Sequence, residues 1–231
     1  MPLQARPGTF ENYAGVVASG FGRFFVNSLI VTCGTILLCL VVAAHCAYAS
    51  TRFAFRGKTT LLFAILASGM VPAIAILVPL YLLAVSLQIV DTYFVLILVY
   101  ASWLTPITTW TLRGFFERVP MEIEEAALVD GCSRLRAFYT IVVPLTLPGL
   151  AAAGVYIFLE TWNEFLIAVS LTSIAEKRLL TVGLYQYVTS FGVEWGLLTA
   201  AALVALLPVL IPFLSMQKLF VSGLTAGAVK E

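Results

Sequence analysis

Apolar residues in this chain gather into runs of about twenty or more, and polar residues are confined to the intervals between them. A run of that length matches the hydrocarbon thickness that a transmembrane helix must cross. Five such segments are read from the sequence, at 24–50, 60–86, 93–112, 149–171 and 195–216. None shows the period-2 alternation of a barrel strand. The predicted fold class is therefore an all-α polytopic membrane protein with about five transmembrane helices. Prolines punctuate the runs: Pro72 and Pro79 in the second, Pro106 in the third, Pro208 and Pro212 near the end of the fifth. Inside a soluble helix each would cost about 3 kcal/mol. Inside a membrane bundle neighbouring groups re-satisfy the freed carbonyls, so kinked spans are expected. Residues 1–23 form a modestly polar N-terminal segment, 24–217 the membrane domain and 218–231 a small-residue tail. Pro2, Pro7 and Gly8 argue against a helix at the start, and no apolar stretch follows a basic one there as a signal peptide requires.

Composition sharpens this picture. Hydrophobic residues make up 61% of the chain and charged ones 11%, against about 25% charged in a soluble domain. A net charge of +1 implies no nucleic-acid-binding face. Cys33, Cys39, Cys46 and Cys132 include no C-x-x-C pair, and His45 is the one histidine, so neither zinc nor a disulfide framework is supported. His45 is read as a hydrogen-bonded packing residue in preference to a proton relay.

The longest polar interval, 118–145, is patterned as two short helices. Pro120 suits a first helical position. Glu122, Glu124 and Glu125 fall where the positive end of the helix dipole favours them. Ile123, Ala126, Ala127 and Asp130 are spaced to share one face, whose two alanines admit a partner closely. Gly131 suits the left-handed residue that ends a helix. Ser133 suits the cap of a second helix, running from about Arg134 until it nears Pro144.

These residues also carry a resemblance. Glu125-Ala126-Ala127, three residues, Gly131, nine residues, Ile141, one residue, then Val143-Pro144 resembles the EAA loop of ABC-importer permeases, with Val143 where leucine is usual. TRFAFRGK at 51–58, TWNEF at 161–165 and the ending LFVSGLTAGAVKE are similar to runs of the maltose-type, carbohydrate-uptake branch and its second permease. The resemblance implies a non-catalytic subunit whose loop is a coupling helix, with Glu125, Ala126, Ala127, Gly131, Ile141 and Pro144 as its docking residues. It implies partners: a second permease, a cytoplasmic ATPase dimer that binds the ATP and magnesium, an extracytoplasmic solute-binding protein and a sugar. It places the chain in a bacterial or archaeal cytoplasmic membrane. Family members of this type have six helices. The first is missing from this sequence, and a sequence beginning downstream of the natural start is favoured over a five-helix subunit.

Basic residues fix the orientation. With the 118–145 loop cytoplasmic, one side collects Arg52, Arg56, Lys58, Arg113, Arg118, Arg134, Arg136, Lys218 and Lys230, and the other keeps Arg6, Arg23, Lys177 and Arg178. The N-terminus is then outside and the C-terminus inside. Glu160 and Glu164 are the acidic residues within an apolar span, four apart and so on one helix face, with Trp162 and Asn163 beside them. Two readings stand. In one, all four line a translocation path and bond sugar hydroxyls. In the other, Glu160 and Asn163 tie helices together and Glu164 reaches the outer interface. Asp91 before Thr92 reads as an N-cap or interfacial turn. The small residues at 149–154 read as a contact with another permease.

No G-x-x-x-x-G-K-[ST] run is present, so the chain is not itself the ATPase. The alternative from another class is a proton-coupled secondary transporter using Glu160 and Glu164. A third, an integral-membrane enzyme, has the glutamate pair alone to offer.

Overall fold

The computed structural model describes residues 10–190 and 192–228, and side chains through Ile211. Two helices are long and apolar enough to cross a membrane unaided: α2 (Phe21–Arg52), preceded by the short α1 (Glu11–Ala18), and α5 (Tyr93–Phe116). Between them α3 (Lys58–Ser68) and α4 (Ala73–Ser86) form a pair bent by 88°. The break falls at 69–72, where Pro72 is extended and opens α4. Pro79 and Pro106, by contrast, sit inside unbroken helices.

The polar interval follows as α6 (Met121–Val129) and α7 (Arg134–Leu145), and α7 turns by 77° into α8 (Leu147–Asn163). Pro144 does not stop the second helix as expected. The chain takes a π turn over Phe138–Val142, with the Val143 N–H bonded to the Phe138 carbonyl, and carries on through the proline. Such a turn re-routes the hydrogen bonds that a proline disrupts. The bend comes two residues later at Thr146, whose hydroxyl donates to the Val142 carbonyl at 2.8 Å.

The fourth apolar segment is not one span. α8 ends at Asn163, Glu164 is extended, and a separate α9 (Leu166–Leu171) follows. Then come α10 (Leu180–Tyr185), an antiparallel pair of two-residue strands, β1 (Val188–Thr189) and β2 (Gly192–Val193), and α11 (Trp195–Ala228). The backbone of α11 passes through Pro208 and Pro212 without a break. The last residues of the expected tail, 229–231, lie outside the described residues, as do 1–9. The N-terminal segment, expected to be non-helical at its start, is helical from Glu11.

The core is organised around α2. Its first half packs Val31 with Val95, Leu96 and Val99 of α5 and Ile167 and Leu171 of α9. Its second half packs Ala43, Ala47 and Tyr48 with Leu112 and Phe116 of α5, Phe138 and Val142 of α7 and Ala153 of α8. Gly149 sits where a Cβ would meet the Phe115 ring, and a Cβ on Gly154 would lie 3.7 Å from Leu40. Gly149 and Gly154 of α8 therefore lie against this chain's own α5 and α2.

Candidate functional site

Two places bring the predicted residues together. The first is the α6–α7 turn. Pro120 proves to be the N-cap of α6, with φ −58° and ψ 137°, and Met121 is its first helical residue. Gly131 adopts φ +86°, the left-handed region that ends the helix. Ser133 caps α7, its hydroxyl accepting from the Arg136 N–H at 3.3 Å. The helix presents Glu122, Ile123, Glu125, Ala126, Val129 and Asp130 outward. Ala127 is buried instead, so the two alanines do not share one exposed face. Adjacent helical residues diverge by about 100°, and Ala127 falls on the same side as the buried Glu124, three residues back.

What holds α6 in place is a residue that sequence reasoning passed over. Glu124 is buried, and its carboxylate accepts from the Arg52 guanidinium and, at 2.9 Å, from the Tyr48 hydroxyl. Arg52 also donates to the Val119 carbonyl at 2.9 Å. Both side chains of this ion pair are under a tenth exposed, at 5% and 9%. Arg134, at the start of α7, lies over the Phe53 ring at 5.4 Å. The C-terminal end of α2 therefore grips both arms of the loop. His45, one turn back, bonds the Val41 carbonyl through Nδ1 at 2.7 Å. A carbonyl only accepts, so Nδ1 carries the proton, and in the neutral ring Nε2 accepts from the Tyr139 hydroxyl at 3.0 Å.

The second place is the break between α8 and α9. Glu164 does not stand on the same helix as Glu160. It leaves α8 and caps α9, accepting from the N–H groups of Ile167 at 2.9 Å and Ala168 at 3.1 Å. Tyr100 of α5 donates its hydroxyl to the same carboxylate at 2.7 Å, and Thr181 donates to the Glu164 backbone carbonyl at 2.7 Å. Glu164 is thus the residue that ties helices, the role expected of Glu160 and Asn163. Asn163 bonds only its own helix, donating to the Leu159 carbonyl at 2.8 Å. Trp162 is buried, stacks on Phe158 and donates its indole N–H to the Ala205 carbonyl of α11 at 3.1 Å. It packs α8 against α11 and does not share a face with the glutamates. Glu160 is exposed, with no hydrogen-bond partner among the described residues. It lines a recess of about 110 Å³ with Tyr100, Trp103, Tyr156, Thr161 and Glu164.

The matches to known proteins follow this architecture. Residues 36–225 match the model of the binding-protein-dependent transport system inner membrane component family. The chain belongs to this family. It is 36% identical over 220 residues to the probable ABC transporter permease protein YurM of Bacillus subtilis, covering 95% of this chain and 73% of that one. It is 35% identical over 223 residues to the diacetylchitobiose uptake system permease protein DasC of Streptomyces coelicolor, covering 96% and 81%. A solved bacterial ABC transporter involved in the import of the acidic polysaccharide alginate shares the fold, with a TM-score of 0.79 at 24% identity over 90% of this chain and 79% of that one.

Within this permease the end of the bundle away from α6 is held by a second set of polar residues. Asn27 of α2 is buried and donates to the carbonyls of Glu176 and Arg178 at 2.8 and 2.9 Å, while the Tyr93 hydroxyl donates to its side-chain oxygen at 2.7 Å. The Lys177 ammonium rests 4.2 Å from the centre of the Tyr93 ring. Asp91, at φ +62°, accepts from the N–H groups of Ser173 and Ile174, and Thr92 is the N-cap of α5. A polar residue in an apolar run, such as Asn27, is the one signal that could have found this hub.

Proposed function

We propose that this chain is one of two permease subunits of an ATP-driven carbohydrate importer, and that the α6–α7 turn transmits the movement of a cytoplasmic ATPase dimer to the membrane helices. The observation that carries the reading is α6 itself. A short helix with an exposed outer face, spaced as the EAA loop is, sits clamped to the end of α2 by the buried Glu124–Arg52 pair. A rigid lever needs both parts: a face to be pushed and an anchor that does not yield. Glu125 and Ala126 meet the ATPase, Glu125 pairing with a basic residue there. Ala127 seats α6 on its own chain, Gly131 sets the bend, and Ile141 and Pro144 lie on the arm that leads to α8. The pushing is rigid-body rocking, which gives access to one side and then the other.

The sugar reading rests on the carbohydrate-branch runs in the sequence and on relatives such as the diacetylchitobiose permease. The path candidates are Glu160, Glu164 and their neighbours at the α8 break. A solute-binding protein delivers the substrate to the outer face, in a bacterial or archaeal cytoplasmic membrane. The test is gentle affinity purification from native membranes. We expect an ATPase and a second permease to accompany the chain and both to be lost on Gly131→Arg or Glu125→Lys. Recovery of the chain alone, still supporting uptake driven by a proton gradient, would overturn the importer reading.

A further inference from the structure

The recess at the α8 break contains one carboxylate that the protein uses and one that it does not. Glu164 is saturated by two backbone N–H groups and the Tyr100 hydroxyl. Glu160, on the same recess, has no hydrogen bond or ion pair among the described residues. An ionised residue at mid-membrane costs about 2.5–3.5 kcal/mol on insertion scales and faces a cavity or a partner when it persists. A second group is idle there as well. Thr161 is 3% exposed and lines the recess, yet its hydroxyl has no partner. The hydroxyls of Thr32, Thr35 and Thr109 are buried without partners as well, but of the four only Thr161 lines this recess.

The walls add two aromatic surfaces, Trp103 and Tyr156. Aromatic faces suit the C–H faces of a pyranose, while a carboxylate and a hydroxyl suit its O–H groups or an amine. Charge then narrows the ligand. Residues 59–112 and 137–176 contain no lysine, arginine or histidine, and neither does 24–44 of α2. No cation of this chain is therefore available at that depth to neutralise an acidic sugar, whereas the Glu160 carboxylate repels one.

We infer that Tyr156, Trp103, Glu160 and Thr161 form a saccharide subsite in the translocation path, and that it takes uncharged or amine-bearing sugars and rejects uronates and sugar phosphates. The Glu160 carboxylate accepts hydrogen bonds from sugar hydroxyls or from an ammonium. The Thr161 hydroxyl supplies a further bond, and the Tyr156 and Trp103 rings hold the ring faces. The inference rests on the importer reading and deepens it by naming the substrate class.

The experiment uses the importer as it purifies with its partners, in lipid nanodiscs, without the solute-binding protein, so that selection by that protein does not enter. Saturation-transfer NMR is recorded with three probes at millimolar concentration: maltotriose, the glucosamine disaccharide and digalacturonate. We expect signal from the first two and none from digalacturonate. Tyr156→Ala should reduce the maltotriose and glucosamine-disaccharide signals at least threefold. Glu160→Gln should abolish any preference for the amine-bearing probe, lowering the glucosamine-disaccharide signal more than the maltotriose signal. No saccharide signal, an equal signal from digalacturonate, or signals unchanged in both variants would overturn the subsite. If the partners co-purify and the subsite fails, the importer reading stands. If no partners co-purify, the importer reading is what fails.

Discussion

Glu124 shows how much one residue inside the α6–α7 turn decides. Its carboxylate is buried against Arg52 and Tyr48, and removing one partner of a buried pair strands the other charge, at a cost of about 3–5 kcal/mol. Glu124→Ala should therefore lower the thermal midpoint of the detergent-solubilised protein markedly, and Arg52→Ala should do the same. The double variant should cost clearly less than the sum, because the two losses are one interaction; strict additivity in a thermal-unfolding cycle would rule out the clamp. Asn27 is the counterpart at the other end. Asn27→Ala leaves the carbonyls of Glu176 and Arg178 and the Tyr93 hydroxyl without their shared partner. Since unsatisfied buried groups cost about 1–3 kcal/mol, amide exchange over residues 174–180 should accelerate while that of α5 is unchanged.

At the scale of elements, each bend has a local cause. Gly131 holds a left-handed backbone between α6 and α7, so Gly131→Ala should cost about 1–2 kcal/mol from conformation alone. Gly131→Arg adds a large cation beside the docking face and should leave the chain in the membrane while abolishing ATP-dependent uptake; normal uptake would contradict docking there. The α7–α8 arm is seated by Gly149 on the Phe115 ring. Gly149→Val should overpack that contact and destabilise by about 1–3 kcal/mol, read as a lower thermal midpoint. Restoration by Phe115→Ala in the same chain would confirm the contact. The broken span between α8 and α9 was not legible, because the sequence at 149–171 is apolar apart from Ser170 and the short run at 160–164. Nothing in a hydropathy pattern says that Glu164 will leave its helix to cap the next.

At the scale of the whole molecule, α2 is the spine to which both ends of the bundle are tied. Its C-terminal end grips α6 through Arg52, and its N-terminal end grips the 175–178 loop through Asn27. Under the proposed coupling, a push on α6 would be delivered to the same helix that holds the 175–178 loop. In proteoliposomes holding the purified complex, uptake should follow internal ATP and persist when a protonophore collapses the proton gradient. Uptake that vanished with the gradient and ignored ATP would move the mechanism to Glu160 and Glu164.

By itself the sequence determined the helical membrane class and the two short helices that meet at Gly131. Long apolar runs can satisfy their backbone in lipid only as helices, charge is too costly to sit anywhere but between them, and caps such as Gly131 and Ser133 act within one turn of chain. Tertiary structure decided what each polar residue faces. Glu124 turned inward and Glu125 outward because α2 brings Arg52 to one side of α6. Glu164 was taken into a cap while Glu160 was left free because Tyr100 of α5 reaches one carboxylate and not the other. Those outcomes depend on partners some 64 to 76 residues away along the chain. Spacing within a segment carries no information about them.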